Sequence, residues 1–202
     1  MLLDPRFVYV AVIINMIGFV AYAHNTWKGD TKPNRVTWVL WTVAPLIAFF
    51  AQISEGVGIG ALLSLAIGVG PLLVLAASFA NKKSYWQVSR SDLICGAVSI
   101  LALILWFITG TGIVAIVLSM VADFMASVPT LIKAYRNPET ESSTAFLAGI
   151  IATIITIFSL SRWNFASVGF PVYLLLNGTA LFVFIRFPKL RPVHQHLQRS
   201  KP

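Results

Sequence analysis

Charge is scarce in this chain of 202 residues. Only 11% of them are Asp, Glu, Lys or Arg, and acid is scarcer than base, with 7 Asp and Glu against 15 Lys and Arg. So few charges could not keep a chain that is 57% hydrophobic in water, so most of its surface must meet lipid. The formal net charge of +8 raises the question of nucleic acid. That reading fails because the basic residues fall in short gaps between apolar stretches and do not gather on one polar face. Cysteine is almost missing. Cys95 is the only one, and it lies inside an apolar run, which excludes a disulfide framework and a thiolate metal site. The residues of an enzyme are lacking too: there is no Ser/His/Asp set, no metal-spaced His/Cys/Glu cluster and no glycine-rich phosphate loop. The opening MLLDPRF has neither a basic n-region nor a small-residue cleavage site, so the first apolar span reads as a retained helix and not a signal peptide.

What the chain does have is apolar runs of membrane length. They fall at about 7–26, 36–54, 58–80, 92–109, 112–135, 144–162 and 166–187, each long enough to cross a hydrocarbon core of roughly 30 Å. Ser54-Glu55-Gly56, with Gly58 and Gly60, divides the second from the third, and Gly110-Thr111-Gly112 divides the fourth from the fifth. Asn164 and its neighbours separate the last two. The expected fold is all-α, with seven transmembrane helices.

Charge tests this count. With the N-terminus outside and the C-terminus in the cytoplasm, the cytoplasmic segments hold Lys28, Lys32 and Arg35, then Lys82, Lys83 and Arg90, then Lys133 and Arg136. The tail adds Arg186, Lys189, Arg191, Arg199 and Lys201, leaving only Arg6 and Arg162 outside. Merging or splitting any span would scatter this pattern, so the positive-inside rule supports both count and orientation. A plasma (inner) membrane, multi-pass location is expected.

Two segments match 105 residues apart. AYAHNTWKGDTKPNRVTWVLW runs from Ala21 and ASVPTLIKAYRNPETESSTAF from Ala126, pairing Lys28 with Lys133, Pro33 with Pro138, Thr37 with Ser142 and Trp41 with Phe146. Each joins one helix to the next through a short basic loop. The repeat unit is thus three helices, and a copy with the same orientation can follow only after one extra helix crosses back. This gives a 3+1+3 plan of two parallel three-helix bundles: a first repeat at 1–80, a linker helix with its loop at 81–110, a second repeat at 111–190 and a basic tail at 191–202. Transporters so built hold their substrate between repeats near mid-membrane.

This plan and the segment Val128-Pro129-Thr130-Leu131 through Lys133, Tyr135, Glu139 and Ser142 resemble the SWEET and PQ-loop transporter superfamily, as a divergent bacterial-type member. Pro129 matches the family's proline at the end of a repeat's first helix. Thr130 stands where glutamine is frequent, and His24-Asn25 occupies the corresponding place in the first repeat. Asn177 looks like the family's pocket asparagine in a repeat's third helix; the first repeat has Leu72 or Ala77 there. The resemblance implies the fold and a transported small polar solute such as a sugar.

Polar side chains within spans usually face the bundle interior or a wet cavity. Asp123 is the only acid deep in a span, and it shares a helix face with Ser119, Ser127 and Thr130. The repeat offset maps Asp123, Ser127 and Thr130 onto Gly18, Tyr22 and Asn25, with Asn15 one turn further out. The candidate substrate-binding residues are therefore Asn15, Tyr22, Asn25, Trp41, Asp123, Ser127, Thr130, Tyr173 and Asn177. A buried carboxyl suits proton-linked transport, and it equally suits a structural bond to another helix. Asn177 likewise fits substrate contact or interhelical bonding. Trp38 and Trp41 lie near the basic loops, where interfacial anchors belong, although they could also wall a ring-shaped solute. Pro45 and Pro129 are candidate hinges, and Gly68 and Gly70 should make the third helix pliable.

Seven helices also invite a photoreceptor reading, but the seventh span has no lysine for a retinal Schiff base. The expectation is a carrier, uniport or proton-linked, for a sugar, nucleoside, vitamin or amino acid, with no cofactor and no metal. The sequence leaves room for a homo-oligomer. The alternative is a ligand-binding or sorting receptor on the same fold.

Overall fold

The computed structural model describes residues 2–84, 86–109 and 112–187, with backbone alone at 102, 103, 106 and 109. The Gly110-Thr111 part of the expected break and the basic tail at 191–202, with Lys189 just before it, lie outside the described residues. Among those described, the chain is all-helical, with seven α-helices and no strand: α1 Phe7–Lys28, α2 Arg35–Ser54, α3 Leu62–Ala80, α4 Arg90–Thr109, α5 Gly112–Arg136, α6 Ser143–Ser159 and α7 Phe165–Arg186.

Local chemistry sets the ends. Gly29 closes α1 at φ 96°, its N–H donating to the carbonyls of Asn25 and Thr26. Asn34 caps α2, its side chain accepting from the N–H of Val36 at 3.1 Å. Ser89 and Asp92 cap α4 reciprocally: the Asp92 carboxylate accepts from Ser89 N, and the Ser89 hydroxyl accepts from Asp92 N. Asn164 caps α7 by accepting from Ser167 N at 3.0 Å. The α2–α3 turn uses Gly56 at φ 72° and Gly58 at φ 70°, a conformation that costs glycine nothing. Two boundaries differ from expectation. Gly58–Ala61 is a 3₁₀ turn ahead of α3, and α6 stops at Ser159 because Leu160 is extended.

Among the described residues, five helices are long and apolar enough to cross a membrane: α1, α2, the Gly58–Ala80 segment containing α3, α5 and α7; α6 is apolar but shorter. The bundle buries many polar side chains and exposes large apolar ones. Gln52, Ser119, Asp123, Ser127, Thr130 and Thr156 are buried, whereas Ile13, Ile17, Phe50, Ile108 and Leu176 are exposed. Water would not sustain that distribution, and lipid does; the chain is a membrane-embedded helical protein.

α3 packs against both α1 and α2, and α7 packs against both α5 and α6. α1 also lies along α6, α2 along α5, and α4 along α5 with a lesser contact to α2. Short side chains bond across these seams: Thr37 Oγ1 donates to Ala126 O at 2.8 Å, Ser99 Oγ to Ala122 O at 2.8 Å and Ser64 Oγ to Gln52 Oε1 at 2.6 Å. The loops after α1, α3 and α5 meet at one end of the bundle. There Lys32 N donates to Thr140 O, Trp86 N to Pro33 O and Asn81 Nδ2 to Trp27 O. The C-terminal part of α7 arrives at this basic end too, with Phe184 packed on Tyr135. Arg6 and Arg162 belong to the other end, where Leu2 N and Leu3 N donate to Phe158 O.

Candidate functional site

Among the described residues, every helix except α4 contributes to a cavity of ≈ 90 Å³ in the middle of the bundle. Asn15 and Phe19 come from α1, Trp38 and Trp41 from α2, and Ile67 and Pro71 from α3. Asp123 comes from α5, Phe146, Gly149 and Thr153 from α6, and Leu174, Asn177 and Gly178 from α7. The space has room for on the order of half a dozen waters or one compact solute. Glycine makes part of the geometry possible. A side chain at Gly70 would collide with the Phe19 ring, and one at Gly68 with Leu46. The two glycines expected to soften α3 thus let neighbouring side chains lie against its backbone.

Four aromatic rings form a continuous wall. Phe19 meets Trp38 edge-on at 6.3 Å, Trp38 meets Trp41 at 5.3 Å, and Trp41 meets Phe146 at 6.2 Å. Opposite this chemistry runs a polar string between α5 and α7. The Tyr173 hydroxyl donates to Asp123 Oδ2 at 2.6 Å, Asn177 Nδ2 donates to the Tyr173 oxygen at 3.3 Å, and Ser127 Oγ donates to Asn177 Oδ1 at 3.1 Å. Three buried polar atoms on cavity-lining residues have no hydrogen-bond partner in the protein: Asn15 Oδ1, Trp38 Nε1 and Trp41 Nε1.

A second polar cluster closes the basic end. Lys133 Nζ pairs with Glu141 Oε1 at 2.6 Å, and both side chains are almost wholly buried, at 1% and 0% exposure. The Tyr22 hydroxyl donates to Glu141 Oε2, and Lys133 Nζ also donates to the carbonyl of Lys32. The ammonium lies 5.1 Å from the centre of the Trp86 ring. One ion pair therefore ties α1 and the α1–α2 loop to α5 and the α5–α6 loop.

Of the nine sequence-derived binding residues, Asn15, Trp41, Asp123 and Asn177 line the cavity. Tyr173 and Ser127 support it through the string from Asp123 to Asn177. The expected pair of matching stripes does not hold along its length. A helical face drifts away from a fixed direction over several turns, and other partners claim its far members. Tyr22 is taken by Glu141, and Thr130 donates to Thr37 Oγ1 at 3.3 Å. Asn25 is half-buried, and its carbonyl closes the end of α1. Gly18, the repeat partner of Asp123, lies against Ala145 and Ala148 of α6. Pro45 and Pro129 are buried inside continuous helices.

The anchor reading of Trp38 and Trp41 is corrected: they are 1% and 8% exposed and wall the cavity. Among the described residues, the exposed tryptophans are Trp27 at the end of α1 and Trp163 just before α7. Sequence reasoning missed Phe19 and Phe146 as wall residues and Glu141 as a partner of Lys133. The repeat alignment did hold a signal for Phe146, since it pairs that residue with Trp41 and the two rings touch in the cavity. Among known proteins, no family model, curated protein or solved structure matches the chain.

Proposed function

We propose that this chain is a transporter for a small polar solute, a uniporter or proton-linked carrier working by alternating access in the plasma (inner) membrane. Its frame is the SWEET-like 3+1+3 plan of seven spans: α1–α3 and α5–α7 as parallel repeats, with α4 as linker. The packing order supports this. The third helix of each triplet lies against the other two, and α1 meets α6 as α5 meets α2. The contact of the repeat-paired Trp41 and Phe146 across the cavity supports it further. The basic end is cytoplasmic by the positive-inside rule, which leaves the N-terminus outside.

The observation that carries the reading is the mid-bundle cavity itself. Both triplets build it, and it keeps unpartnered polar atoms where a structural core would pair them. The Lys133–Glu141–Tyr22 cluster bridges the two triplets at the basic end, so opening toward the cytoplasm requires that it part. Counterflow in proteoliposomes, screened over sugars, nucleosides, vitamins, amino acids and organic amines, tests the proposal. Saturable exchange of one solute class is the expected result. A protein that binds a ligand but never moves it would be a receptor, and the transport reading would fall.

A further inference from the structure

We infer that the cavity is a site for a compact organic cation, an ammonium or N-alkylated ring, held against Asp123 and the aromatic wall. The inference rests on the same cavity as the transport reading and deepens it by naming the ligand class.

Charge is the first ground. Among the described residues, Asp123 is the only ionisable side chain that lines the cavity, and no Lys, Arg or His stands in its wall. Its protein partner is a neutral phenol, Tyr173. A carboxylate held away from water is costly unless a cation or a proton neutralises it, and the described lining supplies no cation. A cationic ligand taking the place of that proton is what this arrangement suits.

The wall is the second ground. Phe19, Trp38, Trp41 and Phe146 stand edge to face in series, so their faces turn in alternating directions around one corner of the space. Cations bind the electron-rich faces of such rings, tryptophan best, and the attraction grows when water is excluded. Lys133 against Trp86 is a cation–ring contact of the same kind elsewhere in this molecule.

The polar lining refines the ligand. Asn177 and Thr153 stand in the same wall as Asp123, so a cation that also carries a hydroxyl or carbonyl is better matched than a plain one. A sugar fits less well. Most of the lining is apolar, and a polyol would leave hydroxyls unpaired against rings and aliphatic side chains. Size agrees in sense, since a cavity of ≈ 90 Å³ calls for a compact ligand.

The test is equilibrium binding to the full chain in lipid nanodiscs, read by tryptophan fluorescence. The probes are choline, N-methylpyridinium, glucose and 3,3-dimethylbutan-1-ol, the uncharged carbon analogue of choline. We expect at least one of the two cations to bind. Choline should bind at least tenfold more tightly than its neutral analogue, and Asp123→Asn should reduce that ratio to near one. Equal affinity for choline and its analogue, preference for glucose, or no binding of either cation overturns the inference. Should Asp123→Asn fail to fold, the wild-type comparison of choline with its analogue decides the matter. Binding of the cations without counterflow would leave this inference intact and end the transport reading. Counterflow of glucose without cation binding would do the reverse.

Discussion

Two buried carboxylates, Asp123 and Glu141, live in opposite circumstances. Glu141 is matched on both oxygens, with Lys133 on one and Tyr22 on the other. Asp123 has a phenol on one oxygen and a cavity beside it. A fully paired buried charge holds parts together and has nothing left to offer a ligand. An incompletely paired charge facing a cavity leaves binding capacity in reserve. On the proposed reading, the same residue chemistry serves closure at the basic end and recognition in the middle.

Breaking the closed pair should have the largest effect. Lys133→Met would leave Glu141 buried without its cation, a change expected to cost about 3–5 kcal/mol. Thermal unfolding in detergent, followed by size-exclusion chromatography, should show a large loss. Adding Glu141→Leu should recover most of it, because removing both charges removes the desolvation penalty as well. A single variant as stable as the parent would mean that the pair contributes no closure.

The repeat sharpens the contrast from another side. The proposed repeat pairs Gly18 with Asp123, yet a Cβ at Gly18 would lie 2.6 Å from Ala148 Cβ and 3.2 Å from Ala145 Cα. Gly18→Ala should therefore force α1 from α6 and cost about 1–3 kcal/mol. Gly178→Ala, whose new methyl group would have Ile150 at 3.8 Å as its neighbour, is the control and should stay within about 0.5 kcal/mol. Equal effects at the two positions would show that α1 and α6 are not tightly apposed at Gly18.

Much of the scaffold was legible in the sequence, because helix length, apolar runs and capping residues act over short ranges. α2 and α5 begin and end within one residue of the expected positions, and the expected breaks at Ser54–Gly60 and Asn164 are real. The end of α6 was misplaced by three residues, since Leu160 continues the apolar run while its backbone leaves the helix. The site was only half legible. Asp123 and Asn177 declared themselves as polar residues in apolar helices. Tyr22 and Glu141 did not declare their bond, because they are 119 residues apart and no periodicity relates them. Trp38 and Trp41 misled through their distance along the helix from the basic loop. Whether they face lipid or neighbouring helices depends on the rotation of α2, which packing on α3 and α5 sets.

Asp123→Asn should separate recognition from stability. The amide oxygen can still accept from Tyr173, so unfolding should shift by no more than about 1 kcal/mol in either direction. Uptake in proteoliposomes should fall at least tenfold. A destabilisation as great as that of Lys133→Met would place both carboxylates in the same structural role and dissolve the contrast. Unchanged pH dependence of the residual uptake would remove Asp123 from proton coupling while leaving it as a counter-charge.

The smallest stability effect is expected at Asn15, and it is the most telling for the cavity. Its Oδ1 is buried without a protein partner, so Asn15→Leu removes an unmet polar demand and keeps similar volume. Stability should stay within about 0.5 kcal/mol or rise, since no protein bond to that oxygen is lost. Ligand affinity should drop all the same, because Asn15 lines the cavity and leucine offers a ligand no hydrogen bond. A clear loss of stability with unchanged affinity would mean that Asn15 is framework. The cavity would then be left with Asp123 and Asn177 as its polar contacts on the α5 and α7 side and none on α1.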